Sequence, residues 1–222
     1  MSTSLLSSGE CRFCGIVNGA QSARTNALDT PWLQSPHYAA ISSVGGFIPG
    51  WSLIVPRSHR LNLTADYDRE DFVAFTKEAI SLVEAKFGRS CIFEHGTTSE
   101  DSETSCGTAH AHLHVVPFAG DLESLAEQFD ESLEWKHVRC SDLAKASAGS
   151  EYLFVANEYC GNNSSGKLAL LSQGRSQYFR RVLAQAVGKV GSHNYREDPC
   201  TDQSLRSAHV MHGLTDLYRE VA

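Results

Sequence analysis

Residues 109–118 read Ala-His-Ala-His-Leu-His-Val-Val-Pro-Phe, and the spacing of their histidines decides the fold. Apolar residues alternate with histidine, the period of a β-strand. His110, His112 and His114 are therefore expected on one face, with Ala111, Leu113 and Val115 on the other. Same-face neighbours on a strand stand about 6–7 Å apart. Three imidazoles buried together merely as structure would need a partner for each ring nitrogen. Two chemistries use such a face: metal ligation, and phosphoryl or nucleotidyl transfer, in which neutral imidazole is the nucleophile. The middle residue, His112, suits the nucleophile because its neighbours can orient it and donate to phosphate oxygens.

Outward from this stretch, Ser90–Gly96 (SCIFEHG) predicts a second strand, and Thr97–Ser105, polar and acidic, predicts an exposed loop. Upstream, YAAIS and WSLIVP within residues 36–56 predict two strands separated by Gly45-Gly46 and Pro49-Gly50. Asp66–Phe87 predicts a helix: acidic residues at its start, then Phe72, Phe75, Ala79, Leu82, Val83 and Phe87 on one stripe. Gly88 stands where a left-handed cap is favoured. About four strands with one inserted helix form an α+β pattern, not the βαβ alternation of a parallel sheet.

Beyond residue 120, helices are expected at 121–130, 176–188 and 204–220. Strands are expected at 133–139, 151–156 and 167–172, with a loop at 157–166. There is no internal repeat and no linker long enough to separate a second domain. Residues 1–120 are read as the core and 121–222 as an extension packed on it in the same domain.

The chain has 222 residues, 41% hydrophobic and 20% charged, ample for a core without covalent staples. Its net charge of −7, without any Lys/Arg cluster, argues against sequence-independent nucleic-acid binding. No run of 18 apolar residues occurs, so no membrane helix is expected. The Ser-rich start lacks a basic flank and an apolar stretch, which argues against a secretory signal and for a cytoplasmic setting. Seven cysteines, an odd number, then read as reduced thiols or metal ligands rather than a disulfide framework. Cys11-Arg-Phe-Cys14, followed by Gly15 and Gly19, reads as a knuckle whose thiols are redox-active, structural or incidental.

His-Ala-His-Leu-His-Val-Val, 110–116, resembles the signature of the histidine-triad superfamily. Gly50-Trp-Ser-Leu-Ile-Val-Pro-Arg-Ser-His59 is similar to the strand before that superfamily's helix, and Phe93-Glu-His-Gly96 to the strand entering its triad loop. The resemblance covers about residues 11–118. It implies a five-stranded antiparallel sheet with helices, extended here by a C-terminal segment. It also implies an enzyme in which His112 attacks a nucleoside α-phosphate and His114 contacts the phosphate or leaving group. Some triad proteins, and the related galactose-phosphate uridylyltransferases, bind zinc through a CxxC pair, a histidine after the Val-Pro strand and the first triad histidine. Those positions are Cys11, Cys14, His59 and His110. A closed set of four protein ligands implies a structural zinc.

The chain departs from the family pattern at three places. Trp51 stands where many members have histidine and is read as packing. Cys106-Gly107 replaces a Gln-Ser or Gln-Thr pair. Ser43 stands where many members place an acidic residue for the ribose. Ser43 and Gly107 join His95 and Arg180 as candidate substrate-binding residues. His95 either faces the site or caps a strand end. Arg180 and Arg181 lie on a predicted helix, where solvent is the usual surrounding, though one can reach a phosphate. The reading is a nucleotide hydrolase, for example of dinucleoside polyphosphates. The alternatives are a nucleotidyltransferase or phosphorylase using phosphate or a small-molecule acceptor, and a nucleotide-binding regulatory module without turnover. The expected partner is a nucleotide, with no nucleic acid and no membrane. For the assembly two alternatives stay open: a homodimer that extends the sheet, as in small members, or a C-terminal tail that covers that edge.

Overall fold

Among the described residues, antiparallel pairing joins eight strands into one sheet. They are β1 (Leu33–Gln34), β2 (Tyr38–Ser42), β3 (Ser52–Pro56), β4 (Ser90–Gly96), β5 (Leu113–Pro117), β6 (Trp135–Arg139), β7 (Tyr152–Ala156) and β8 (Ser165–Leu170), in the order β1-β2-β3-β5-β4-β7-β8-β6. The computed structural model describes residues 11–19, 27–105 and 108–221, with 217–221 as backbone. The α+β class with an antiparallel sheet is as the sequence predicts. The expected five strands are corrected to eight, because β7 pairs with β4 and β8 and β6 continue the sheet beyond it.

Helices cover both faces. They are α1 (Arg12–Val17), α2 (Glu70–Phe87), α3 (Leu122–Phe129), α4 (Leu143–Ser147), α5 (Tyr178–Ala186) and α6 (Thr201–Val221). Strand alternation assigns residues to the faces. Ile54, Ile92, Leu113, Val115 and Phe154 pack with Phe72, Phe75, Ala79 and Val83 of α2 and with Met211 of α6. Leu53, Val55, Phe93, Val116, Leu153 and Val155 pack with Phe13 of α1, Leu122 and Ala126 of α3, and Phe179, Val182 and Leu183 of α5. Each such side chain, fully buried, contributes about 1.5–3 kcal/mol.

Helix α2 begins at Glu70 rather than Asp66, whose carboxylate is held by the Tyr38 hydroxyl (2.7 Å) and by Arg60 (2.6 Å). Gly88 has φ +87° and ψ −178°, so the expected left-handed cap is corrected to an extended positive-φ conformation accessible essentially to glycine alone. The Cys11–Gly19 knuckle is mostly helix, with Cys11 as N-cap. The 97–105 segment is not a wholly exposed loop: Thr97, Thr104 and Ser105 are buried, the last two in a 3-10 turn. No described helix is long and apolar enough to cross a membrane.

Candidate active site and metal cluster

Strand β5 begins at Leu113, so His110 and His112 precede it and the expected strand over 109–118 is corrected. Of the three histidines, only His114 has a place in the ladder. Its register partners are Leu53 on β3 and Phe93 on β4. The Phe93 ring stacks on the imidazole at 4.2 Å with 15° between planes. On the side facing β3, the Trp51 indole Nε1–H donates to His114 Nδ1 at 2.9 Å.

His112 is half-buried beside it, ring centroids 4.8 Å apart. Its Nδ1 lies 2.8 Å from the His110 carbonyl. A carbonyl has no proton to give, so Nδ1 carries it and Nε2 keeps the lone pair. Phe13 of α1 meets the His112 ring edge-on at 5.3 Å. Burial pushes His112 below the usual histidine range. The same cause, reinforced by His112, His95 and Arg180, pushes His114 well below it. Both are therefore neutral at neutral pH.

A cavity opens over these two rings, lined also by Arg12, Ser43, Val44, His95, Thr108, Arg180 and Tyr195. His95, on β4, faces it rather than merely capping a strand end. Its imidazole lies against Phe179 (5.2 Å) and Phe93 (5.7 Å), and burial pushes it down to about 3. Its Nε2 is buried with no hydrogen-bond partner among the described residues. Arg180 is only 4% exposed, correcting the solvent expectation. Its Nε donates to the His193 carbonyl at 2.7 Å, a terminal nitrogen donates to the Gly45 carbonyl, and the guanidinium lies 4.8 Å over the Trp51 ring.

Gly45 allows this close approach: its φ is +68°, and a β-carbon there would fall 2.3 Å from Tyr195 Cβ. The β2–β3 loop is further pinned from the C-terminal segment. Lys189 donates to the Phe47 carbonyl, while Ser204 and Ser207 of α6 accept from Gly46 and Gly50 N–H. Ser43, at the mouth of this loop, donates to the Val44 carbonyl at 3.1 Å. Gly107 lies outside the described residues.

His110 belongs to a different group. Donor atoms of Cys11, Cys14, His59 and His110 lie within 4.8 Å of one another. Cys11 Sγ and Cys14 Sγ stand 3.3 and 3.5 Å from His110 Nδ1, and Cys14 Sγ stands 3.3 Å from His59 Nδ1. A tetrahedron with ordinary zinc–sulfur and zinc–nitrogen bond lengths has edges of about 3.3–3.8 Å, so the donor set fits such an ion. The outer shell fits as well. His110 Nε2 donates to the Pro56 carbonyl at 2.8 Å and His59 Nε2 faces Glu100 at 3.5 Å, leaving both Nδ1 atoms toward the thiols. In the bare cluster burial, reinforced by Cys11, pushes the Cys14 thiol up to about 11, a cost that a cation among the donors reverses.

Sequence reasoning missed Trp51 as a hydrogen-bond donor, Phe13 as a wall and Tyr195 as a pocket residue. The indole was legible as an aromatic before a strand, but nothing local to it names a partner 63 positions away.

No protein-family model and no curated protein matches the chain. Among solved structures it is similar to a hypothetical histidine triad nucleotide-binding protein from Sulfolobus tokodaii strain7. That likeness is 13% identical, covers 84% of this chain and 94% of the other, and has a TM-score of 0.35. It is also similar to a Hit-like protein involved in cell-cycle regulation from Bartonella henselae, 18% identical over 41% of this chain and 69% of that one, TM-score 0.32.

Proposed function

We propose that this chain is a histidine-triad enzyme that cleaves a nucleotide at its α-phosphate through a covalent nucleotidyl-histidine. The observation that carries the reading is the tautomer of His112. With Nδ1–H given to the His110 carbonyl, the lone pair is on Nε2 of a side chain that lines the cavity. In the first step Nε2 forms a bond to phosphorus as the P–O bond to the leaving group breaks. The leaving oxygen departs with the electron pair and takes a proton from solvent. The positive charge that develops on the imidazole spreads to Nδ1–H, whose hydrogen bond to the His110 carbonyl oxygen stabilises it. His114 supplies a donor beside the reacting phosphate. In the second step water attacks phosphorus, loses its proton to solvent, and the N–P bond breaks to restore neutral His112.

Ser43, His95, Gly107 and Arg180 are proposed to contact the substrate. Arg180 and Tyr195 come from the C-terminal segment, and this favours a second reading in which phosphate or another small acceptor replaces water. Residues 121–222 would then be a wall of the same domain, not a separate module. Cys11, Cys14, His59 and His110 are proposed to hold zinc. Their four donors leave no position for substrate, so the ion would anchor α1, and with it Phe13, against the site. Reduced thiols of this kind fit a cytoplasmic setting.

A panel of dinucleoside polyphosphates and nucleotide sugars, with and without phosphate, tests the reaction. Turnover that is lost in His112→Ala supports it. Nucleotide binding with no turnover of any member would leave the non-enzymatic module.

A further inference from the structure

We infer that Trp51 is a positioning residue that holds His114 as a fixed hydrogen-bond donor, its proton on Nε2 and its Nδ1 closed to protonation. An indole N–H can only donate. The 2.9 Å contact from Trp51 Nε1 therefore requires a lone pair on His114 Nδ1, and the neutral ring's one proton is on Nε2. A histidine at position 51, as the family resemblance implies, could donate or accept and would leave His114 free to change tautomer. Tryptophan removes that freedom.

The surroundings act in the same direction. Phe93 stacks on one face of the ring, so it cannot swing away from the indole without losing that contact. The indole is itself held: Phe47 meets it at 5.1 Å, Phe93 at 5.9 Å, and the Arg180 guanidinium lies over it. The groups that face His114 are His112 from its own segment, His95 from β4 and Arg180 from α5. None is an anion, so nothing there would favour an imidazolium. His114 is then a stationary dipole aimed at a phosphate or leaving oxygen, stabilising charge without giving up its proton. The inference takes from the triad reading only what the donor is for; the hydrogen bond itself is tested in the free protein.

The experiment is nitrogen-15 NMR of the full chain without ligand, following the His114 ring nitrogens between pH 5 and 8. The native protein is expected to show Nδ1 unprotonated and Nε2 protonated throughout, with a through-hydrogen-bond coupling between Trp51 Nε1 and His114 Nδ1. Trp51→Phe keeps a ring and removes the donor, and should shift the tautomer ratio by about fivefold toward Nδ1–H, the effect of one ordinary hydrogen bond. Trp51→His should restore part of the bias. A protonated Nδ1 in the native protein, or no coupling there, overturns the inference even if the variants fail to fold. So does a folded Trp51→Phe whose His114 signals match the native ones.

Discussion

His110 and His114 stand four residues apart and end in different chemistries. His110 turns to two thiols and a second imidazole, and its outer nitrogen is tied to the Pro56 carbonyl. His114 lies in an aromatic slot where Phe93 stacks on it and Trp51 donates to it. His112, between them, gives Nδ1–H to the backbone of His110. The residue type is the same three times. What each can do follows from which nitrogen its surroundings occupy: Nδ1 lone pair toward the cluster at His110, Nε2 lone pair at His112, Nε2–H at His114. The backbone supports the split, because the ladder begins at Leu113 and only His114 is bound to strand geometry.

The largest effect that would break this comparison is at His112, the proposed nucleophile. His112→Ala should lower turnover of the best substrate by about 10⁴-fold or more while nucleotide binding, read by calorimetry, survives. A loss of less than tenfold would mean that the lone pair on His112 is not used. His114→Ala should cost about 10²–10³-fold, the effect of losing one fixed hydrogen-bond donor, with metal content unchanged, since the aromatic slot and the cluster share no side chain. Unaltered kcat/KM would reduce His114 to scaffold.

The metal half is tested by Cys14→Ser. The native chain should contain about one zinc by elemental analysis. The variant should lose it and melt at lower temperature, because a closed metal site contributes folding free energy directly. Phe13 meets the rings of both His110 and His112 edge-on, so loosening α1 should also raise KM. Metal-free native protein never exposed to chelator would contradict the assignment.

The smallest effect is on pH dependence and comes from Glu94, next to His95 on β4 but on the opposite face. Its buried carboxyl accepts from Leu63 N–H (2.7 Å) and the Tyr67 hydroxyl (2.9 Å), and burial pushes it up to about 7. Native Glu94 thus keeps a proton that the unfolded chain has lost, starting near pH 4.5. Its contribution is complete below that pH and falls as pH rises through 7, by about 3 kcal/mol in all. Glu94→Gln should flatten the stability curve over that window, as denaturant titrations at pH 5 and 8 would record. An unchanged slope would place the pH dependence elsewhere.

Much of this was legible because local pattern and tertiary role coincide. Ser90–Gly96 is a strand as read, and the α2 stripe that the spacing predicts is the side that packs on the sheet. The cluster was legible only through the family resemblance, whose four ligand positions Cys11, Cys14, His59 and His110 match by residue type. The sheet's width was not legible. The strands at 133–139, 151–156 and 167–172 were expected, but the long-range pairing of β7 with β4, which carries β8 and β6 into the same sheet, leaves no local pattern. The histidine stretch misled by its own regularity: period two suggests ten strand residues, yet His110 Nδ1 meets the thiols and its Nε2 the Pro56 carbonyl before the ladder starts. Arg180 looked like a solvent residue because burial beneath Gly45 and over Trp51 depends on a loop some 130 positions earlier.

The central claim, that His112 presents a lone pair for attack on phosphorus, is tested most directly by trapping. The protein is quenched during turnover of a confirmed nucleotide substrate and its peptides are weighed. An acid-labile nucleoside monophosphate increment on the peptide carrying His112, absent from His112→Ala, is the expected result. Full turnover with no such increment, or the increment on another residue, would contradict it.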